Sequence, residues 1–486
     1  MSKLLEKYKY LSSPVKASLW FLVCSFLQKG IAMITTPIFT RIMTEEAYGK
    51  FSVYNSWYNI IFVFATLELA AGVYTRGLVK NEEDQEAYSS SLMGLSTVCI
   101  SICFAIYLIF KNQINSMVDL STFLMVLMFV EIWANAVFQF WSNKERANFK
   151  YKKLVLLTLV YVILRPALSV VFIMNAQSEN QVEARILATV IVCVALFGFL
   201  YFSMMRKGKR FFDKKYWIYA LKFNIPLVPH YLSQILLGQS NKIMIDKLCG
   251  SEYAAFYSVA HSLAMVLLVL NSSISGTMNP WIYKTIKAKE YHKIGKASYS
   301  VLFLVAAANF AVIAVAPELL KIMAPASYQS ALWVIPPLTA SVYFTFLYSL
   351  FATFEYYYEK TNFVMIASVS GAVLNIVLNY IFINKFGFIA SGYVTLLCYI
   401  VYAFAHYGFM RKVNKQFMDG YKVYNVKIIV LIGVTLLIAS ALMMLIYNIP
   451  VLRYTVLLCM LALVVVFRKK IINIFKQFGK GGKNNG

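Results

Sequence analysis

Stretches of about 20 apolar residues, each bounded by charge or turn residues, recur along the whole chain, and a helix of that length matches the hydrocarbon thickness of a bilayer. They lie near 17–40, 49–73, 88–110, 120–142, 154–174, 184–205, 217–245, 253–281, 297–317, 329–353, 362–384, 388–410, 424–447 and 451–467. By the length criterion they predict about fourteen transmembrane helices. Composition agrees, since 60% of the 486 residues are hydrophobic and 14% charged, where a soluble domain carries about 25% charged residues. The expected fold class is an all-α membrane protein. The loops between spans are short, the longest near 74–87, 143–153, 206–216 and 282–296. None reaches the roughly 40 residues that a separate core needs even with help, so catalysis in a soluble domain is excluded and no enzyme is expected.

A net charge of +25, from 46 Lys and Arg against 21 Asp and Glu, would suggest a nucleic-acid partner in a soluble protein. Position along the chain assigns it differently. With spans alternating in direction, one face collects Lys3, Lys7, Lys9 and Lys16, the clusters at 144–153, 206–215, 284–296 and 411–427, and the tail beyond 467. The other face receives Arg41, Lys50, Lys111, Arg185, Lys247, Lys321, Lys385 and Arg453. The positive-inside rule then places both termini in the cytoplasm, and no nucleic acid is expected. The basic N-terminus precedes an apolar run long enough to stay as a span rather than be cleaved. Seven Cys without a CxxC spacing and four scattered His give neither a disulfide framework nor a metal site. No GxxxxGK[ST] phosphate loop occurs, and no cofactor is expected.

The chain also echoes itself. Arg41-Ile-Met-Thr-Glu-Glu-Ala-Tyr-Gly-Lys-Phe-Ser-Val-Tyr-Asn-Ser returns 206 residues later as Lys247-Leu-Cys-Gly-Ser-Glu-Tyr-Ala-Ala-Phe-Tyr-Ser-Val-Ala-His-Ser, and Gln28 matches Gln234 at the same offset. Each copy begins a block of six spans after a basic segment. Six is even, so the two halves enter the membrane with the same orientation, related by an axis along the membrane normal. The expected organisation is a six-helix lobe over 1–205, a cytoplasmic linker at 206–216 and a second six-helix lobe over 217–412, pseudo-symmetric around a central cleft. Two additional helices at 413–467 and a basic cytoplasmic tail at 468–486 complete it.

Several segments together carry a resemblance: Pro37-Ile-Phe-Thr-Arg41 with Glu45-Glu46-Ala-Tyr48-Gly49, its echo Asn241-Lys242-Ile-Met-Ile-Asp246 with Tyr257-Ser258-Val259-Ala260, Asn375-Ile-Val-Leu-Asn379, Gly387-Phe-Ile-Ala-Ser-Gly392-Tyr-Val-Thr, and Glu359-Lys360-Thr361. Over nearly its whole length the chain resembles the polysaccharide flippases of the multidrug/oligosaccharidyl-lipid/polysaccharide exporter superfamily, in the O-antigen and capsule (Wzx-type) branch. The resemblance implies a transporter of lipid-linked oligosaccharide in the bacterial cytoplasmic (inner) membrane. It also implies membrane lipids as surroundings, and the polymerase and glycosyltransferases of the same pathway as partners. One departure stands out: Asn241 precedes Lys242 where many relatives have Asp.

Polar side chains inside the spans are the candidate site, because an ionisable group at the bilayer centre costs about 2.5–3.5 kcal/mol to insert. Lys29 lies mid-span beside Gln28. The seventh span carries Lys222, His230, Gln234, Gln239, Asn241 and Lys242, and Pro226 and Pro229 interrupt it by removing backbone donors. Such a broken polar helix is tolerated only where it lines protein or water. Arg165 precedes Pro166 mid-span, and either faces the cleft or pairs with Glu68 or Glu131. In the eighth span Ser258, His261, Ser272, Ser275 and Asn279 share one face, and Asn375 and Asn379 do so in the eleventh. The expected substrate-binding set is Gln28, Lys29, Arg41, Arg165, Lys222, Gln234, Asn241, Lys242, His261, Ser272, Asn279 and Asn375. Coupling to H⁺ or Na⁺ is assigned to Glu68, Glu131 and Asp246.

Cations in the cleft select anionic cargo, by charge-assisted bonding to a diphosphate or acidic sugar. With the resemblance, this ranks a polyprenyl-diphosphate-linked oligosaccharide repeat unit first. A lipid-linked peptidoglycan or teichoic acid precursor comes next, then a cation-coupled multidrug exporter, which would need carboxylates there, and last a membrane-embedded glycosyltransferase or polymerase.

Overall fold

The structure, a computed structural model, describes residues 13–460 and 462. The expected basic tail at 468–486, nearly all of 461–467, and the lysines at 3, 7 and 9 lie outside the described residues. The rest is helical. In chain order the helices are α1 (Ser13–Ile42), α2 (Glu45–Thr66), α3 (Gly72–Lys80), α4 (Gln85–Ile109), α5 (Lys111–Val118), α6 (Thr122–Ala147), α7 (Tyr151–Met174), α8 (Gln181–Gly208) and α9 (Lys214–Asn224). There follow α10 (Val228–Cys249), α11 (Ser251–Lys287), α12 (Tyr291–Ala314), α13 (Ala316–Met323), α14 (Ile335–Tyr357), α15 (Thr361–Phe386), α16 (Ala390–Phe417) and α17 (Val426–Leu445), with a short apolar α18 (Pro450–Met460).

Among the described residues, eleven helices are long and apolar enough to cross a membrane. Of the three expected spans outside that number, one is described only in part, and the other two hold helices of 22 residues, α2 and α10, long enough to cross but rich in polar side chains. The last is described only as α18, up to Met460. The span at 49–73 stops as a helix at Thr66, because Leu67 and Glu68 take left-handed backbone angles (φ 49° and 51°) before α3 starts at Gly72. The span at 217–245 is divided into α9, a 3₁₀ turn at Ile225–Leu227 and α10, with Pro226 and Pro229 at the break. The two breaks meet. Buried Asn224 donates its side-chain amide to the Leu67 carbonyl at 2.8 Å, and Asn143 donates to the Ala70 carbonyl at 2.6 Å. Side-chain amides thus satisfy carbonyls that the interrupted helix leaves open, as a low-dielectric setting demands.

The chain divides into two compact units, the described residues up to Asp246 with Gly250–Ala255, and Lys247–Cys249 with the described residues from Phe256 onward. In the first unit, α3, α4, α6, α8 and α9 share an aromatic core. Tyr74 stacks on Tyr88 at 5.9 Å and meets Phe140 edge-on at 4.8 Å, and its hydroxyl donates to Ser89 at 2.8 Å. In the second unit, α14 is largely buried and packs on α12, α16 and α17. Its hydrophobic residues all round match a helix at the centre of a bundle. Arg453, read from the sequence as an outer-loop charge, is 3% exposed and forks onto Glu318 with two bonds of 2.5 Å, fastening α18 to α13.

Arg185 departs furthest from its expected position as a loop cation. It is 7% exposed, its guanidinium lying 3.6 Å from the ring centre of Phe39 on α1 and 3.4 Å from that of Phe51 on α2. Tyr48 lies 5.6 Å away, and Nη1 approaches the Met43 sulfur at 3.3 Å. One turn earlier on α8, the Gln181 side chain donates to the Ile42 carbonyl at 3.1 Å and accepts from the Thr44 N–H at 3.0 Å, while Thr44 caps α2 through the Ala47 N–H at 3.2 Å. Phe39 and Tyr48 of the resembling segment, with Phe51 just after it, therefore build the α1–α2 corner around α8. A planar guanidinium fits between two rings and an ammonium does not, so Arg185→Lys is expected to cost about 1–2 kcal/mol, the range of a desolvated cation–π contact. The check is a lower melting temperature of the detergent-solubilised protein.

Candidate functional site

The polar groups expected to act together fall into clusters within each unit. In the first, Arg165 on α7 lies 3.7 Å from the Glu131 carboxylate on α6, which settles its partner as Glu131 rather than Glu68. The Arg165 side chain is 32% exposed and that of Glu131 5%. Glu131 also accepts from the Tyr54 hydroxyl at 3.0 Å, and Arg165 donates to Thr189 at 3.4 Å and to Tyr161 at 3.3 Å. Sequence reasoning did not single out Tyr54 and Thr189, which come from other helices, or Tyr161, one turn before Arg165 on α7. A charge pair held by three further hydrogen bonds leaves Arg165 partly open while Glu131 is enclosed.

The broken seventh span supplies the second cluster. On α10, Asn241 is buried to 1% and Lys242 is half-buried. Lys242 forms no hydrogen bond or ion pair among the described residues. Gln239 accepts from Ser56 of α2 at 3.1 Å, and Gln234 is half-buried. At the break, half-buried Glu68 donates only its backbone N–H, to Thr66 at 3.2 Å, and the buried Nδ1 of His230 has no partner among the described residues. Lys222 is exposed in the last turn of α9. On α1, Gln28 reaches Thr158 at 3.5 Å, Arg41 is exposed and donates to the Pro37 carbonyl at 2.8 Å, and the side chain of Lys29 lies outside the described residues. Asp246 accepts from Ser251 at 2.6 Å and so ties the α10–α11 corner.

In the second unit the expected face of α11 does not share one environment. Ser258 is buried, His261 is half-buried against Tyr257 with ring centres 6.2 Å apart, and Ser272 is exposed and bonds its own helix at Leu268. Asn279 accepts from Thr353 of α14 at 3.1 Å. Asn375, buried to 1%, accepts from Asn379 at 3.1 Å, an arrangement that stiffens α15. The structure thus brings Arg165 and Glu131 together, sets Lys242 beside Asn241, and keeps Asp246, Asn279 and Asn375 in interhelical or intrahelical bonds.

Ionisable side chains within the spans and an interrupted helix are features of helical membrane transporters. Comparison with known proteins gives the family. The profile described as polysaccharide biosynthesis protein matches residues 15–286, more than half of the chain, and the chain belongs to that family. It lies within the multidrug/oligosaccharidyl-lipid/polysaccharide superfamily, and the MatE profile matches residues 226–381. An Lsg locus protein of Haemophilus influenzae is 21% identical over 289 residues, covering 57% of this chain and 67% of that one. The solved structure of the lipid II flippase MurJ in an inward closed conformation has the same fold, with a TM-score of 0.66 at 14% identity over 93% of this chain and all of that one. An inward-facing multidrug resistance MATE family transporter follows at 0.59 and 12% identity, over 80% of this chain and 99% of that one.

Proposed function

We propose that this chain is a flippase that moves a polyprenyl-diphosphate-linked oligosaccharide repeat unit across the bacterial cytoplasmic membrane for surface polysaccharide assembly. Lys242 carries the reading, a half-buried cation that forms no ion pair among the described residues. Burying a charge without a counter-charge is costly, and a diphosphate arriving at Lys242 supplies one. Arg165, held by Glu131 yet a third open, adds a fork of donors suited to phosphate oxygens. Lys29 completes the basic set. Lobes spanning 1–205 and 217–412, with both termini cytoplasmic, rock in alternating access while the polyprenyl tail stays in lipid. H⁺ or Na⁺ coupling belongs to the same reading.

Deleting the gene in its source organism tests this. The expected result is accumulation of one polyprenyl-diphosphate oligosaccharide in lipid extracts, seen by mass spectrometry, with loss of surface polymer. Restoring the gene with Lys242→Ala reproduces the deletion while the protein still reaches the membrane. Accumulation of a peptidoglycan or teichoic acid precursor would move the cargo to that class. Normal lipids and polymer with new sensitivity to cationic compounds would overturn the reading in favour of drug export.

A further inference from the structure

Helices α14 and α16 enclose a titratable pair to which the reading above gives no role. His406 Nδ1 lies 2.9 Å from Glu355 Oε1, and both side chains are 0% exposed. The second oxygen of the carboxylate, Oε2, and the second ring nitrogen, Nε2, are buried and have no hydrogen-bond partner among the described residues. The surroundings are aromatic. Tyr348 stacks on the imidazole at 5.4 Å, and Tyr402 meets it edge-on at 4.6 Å while bonding Ser368 of α15 at 2.9 Å. The titratable side chains in ring contact with His406 are Tyr348 of α14 and Tyr402 of α16, Tyr399 of α16 stacks on Tyr348, and α12 contributes Leu302 and Val305 to the same core. No other charged side chain pairs with Glu355 or His406 among the described residues.

We propose that Glu355 and His406 form a proton-binding site through which transport is coupled to the proton gradient. The argument is charge balance in a dry place. With a neutral imidazole and an ionised carboxylate the pair carries one uncompensated negative charge, which the aromatic core cannot solvate. One added proton, taken at His406 Nε2, makes an imidazolium–carboxylate pair of zero net charge. Release returns that proton from Nε2 to a water molecule as hydronium and needs water to reach the pair. The occluded state therefore retains the proton and a hydrated state exchanges it. A purely structural pair would gain from bonds at Oε2 and Nε2, yet both atoms are left open. What the proton drives rests on the flippase reading; that the pair binds it does not.

The test uses the full chain in proteoliposomes with the proton as ligand. With His230, His261 and His292 replaced by Asn, His406 is the sole histidine of the four, and its ring-carbon NMR signal is followed against pH. A pH-dependent change of that signal is expected, and E355Q alters it, because the two groups share one proton. A signal that stays fixed with pH, or the same change in E355Q, overturns the proposal. If the triple variant does not accumulate, infrared difference spectra of the natural sequence against E355Q replace it, and identical pH-dependent carboxyl bands overturn it equally. In inverted vesicles, E355Q and H406Q should lose the dependence of flipping on a pH gradient, and retained dependence removes the coupling role. A deletion strain with normal lipids would sink the flippase reading alone and leave the titration result standing.

Discussion

Gly49→Ala is expected to remove most of the folded protein from the membrane, although it adds a single methyl group. A Cβ at Gly49 would lie 1.7 Å from the carbonyl oxygen of Ser251, the first residue of α11. The obstacle is backbone, so no rotamer change relieves it, and α2 must move away as a body. That motion would pull on the Thr44–Gln181 clamp and on the rings holding Arg185. Overpacking typically costs about 1–3 kcal/mol and occasionally more, and a backbone collision belongs at the top of that range. Against a net stability of roughly 5–15 kcal/mol this is a large fraction. Gly276→Ala is the control, since nothing lies within 4 Å of a Cβ there, and a helical Gly-to-Ala change gains about 0.5–1 kcal/mol. Membrane abundance by immunoblot and the melting temperature in detergent should separate the two variants, and equal behaviour would mean that α2 and Ser251 are not in close approach.

That collision also shows what the sequence could and could not disclose. Apolar length located the helices, because hydrocarbon thickness is a constraint each helix meets by itself. The break at 225–227 was visible for a local reason, the missing N–H groups of Pro226 and Pro229. The break after Thr66 was not. Leu67 and Glu68 hold left-handed angles without glycine, and their stretch is satisfied by Asn143 and Asn224 from distant helices. The 206-residue echo reappears in the helix starts, since α2 begins at Glu45 and α11 at Ser251, so a periodicity of residues became one of backbone geometry.

Charges were legible as members of a class and illegible as individuals. Loop composition gave Arg185 and Arg453 no distinction from their basic neighbours. Both are buried because partners distant in the chain receive them, the rings of α1 and α2 for one and Glu318 for the other. Glu355 reads as the end of a tyrosine-rich helix, and His406 lies 51 residues further on. No helical spacing links them, so tertiary packing alone reveals the pair.

Separating a structural role of Arg165 from the proposed transport role needs a cycle of variants, and here a large effect is expected. Arg165→Met leaves the nearly enclosed Glu131 carboxylate with the Tyr54 hydroxyl as its remaining donor. Breaking a buried pair from one side costs about 3–5 kcal/mol, and the lower end applies because Arg165 is itself a third exposed. Glu131→Met strands the guanidinium but leaves Tyr161 and Thr189 to accept from it, so its loss is smaller. The double variant Glu131→Met/Arg165→Met removes both charges at similar volume and should recover most of the lost stability, since apolar replacements of buried pairs are commonly neutral or better. Export then gives the second reading. If Arg165 receives phosphate, the double variant accumulates like the natural protein but does not restore surface polymer to a deletion strain. Full restoration would show the pair to be scaffold and leave the anion to Lys242. A double variant whose loss equals the sum of the two single losses would show that the 3.7 Å contact carries no coupling energy.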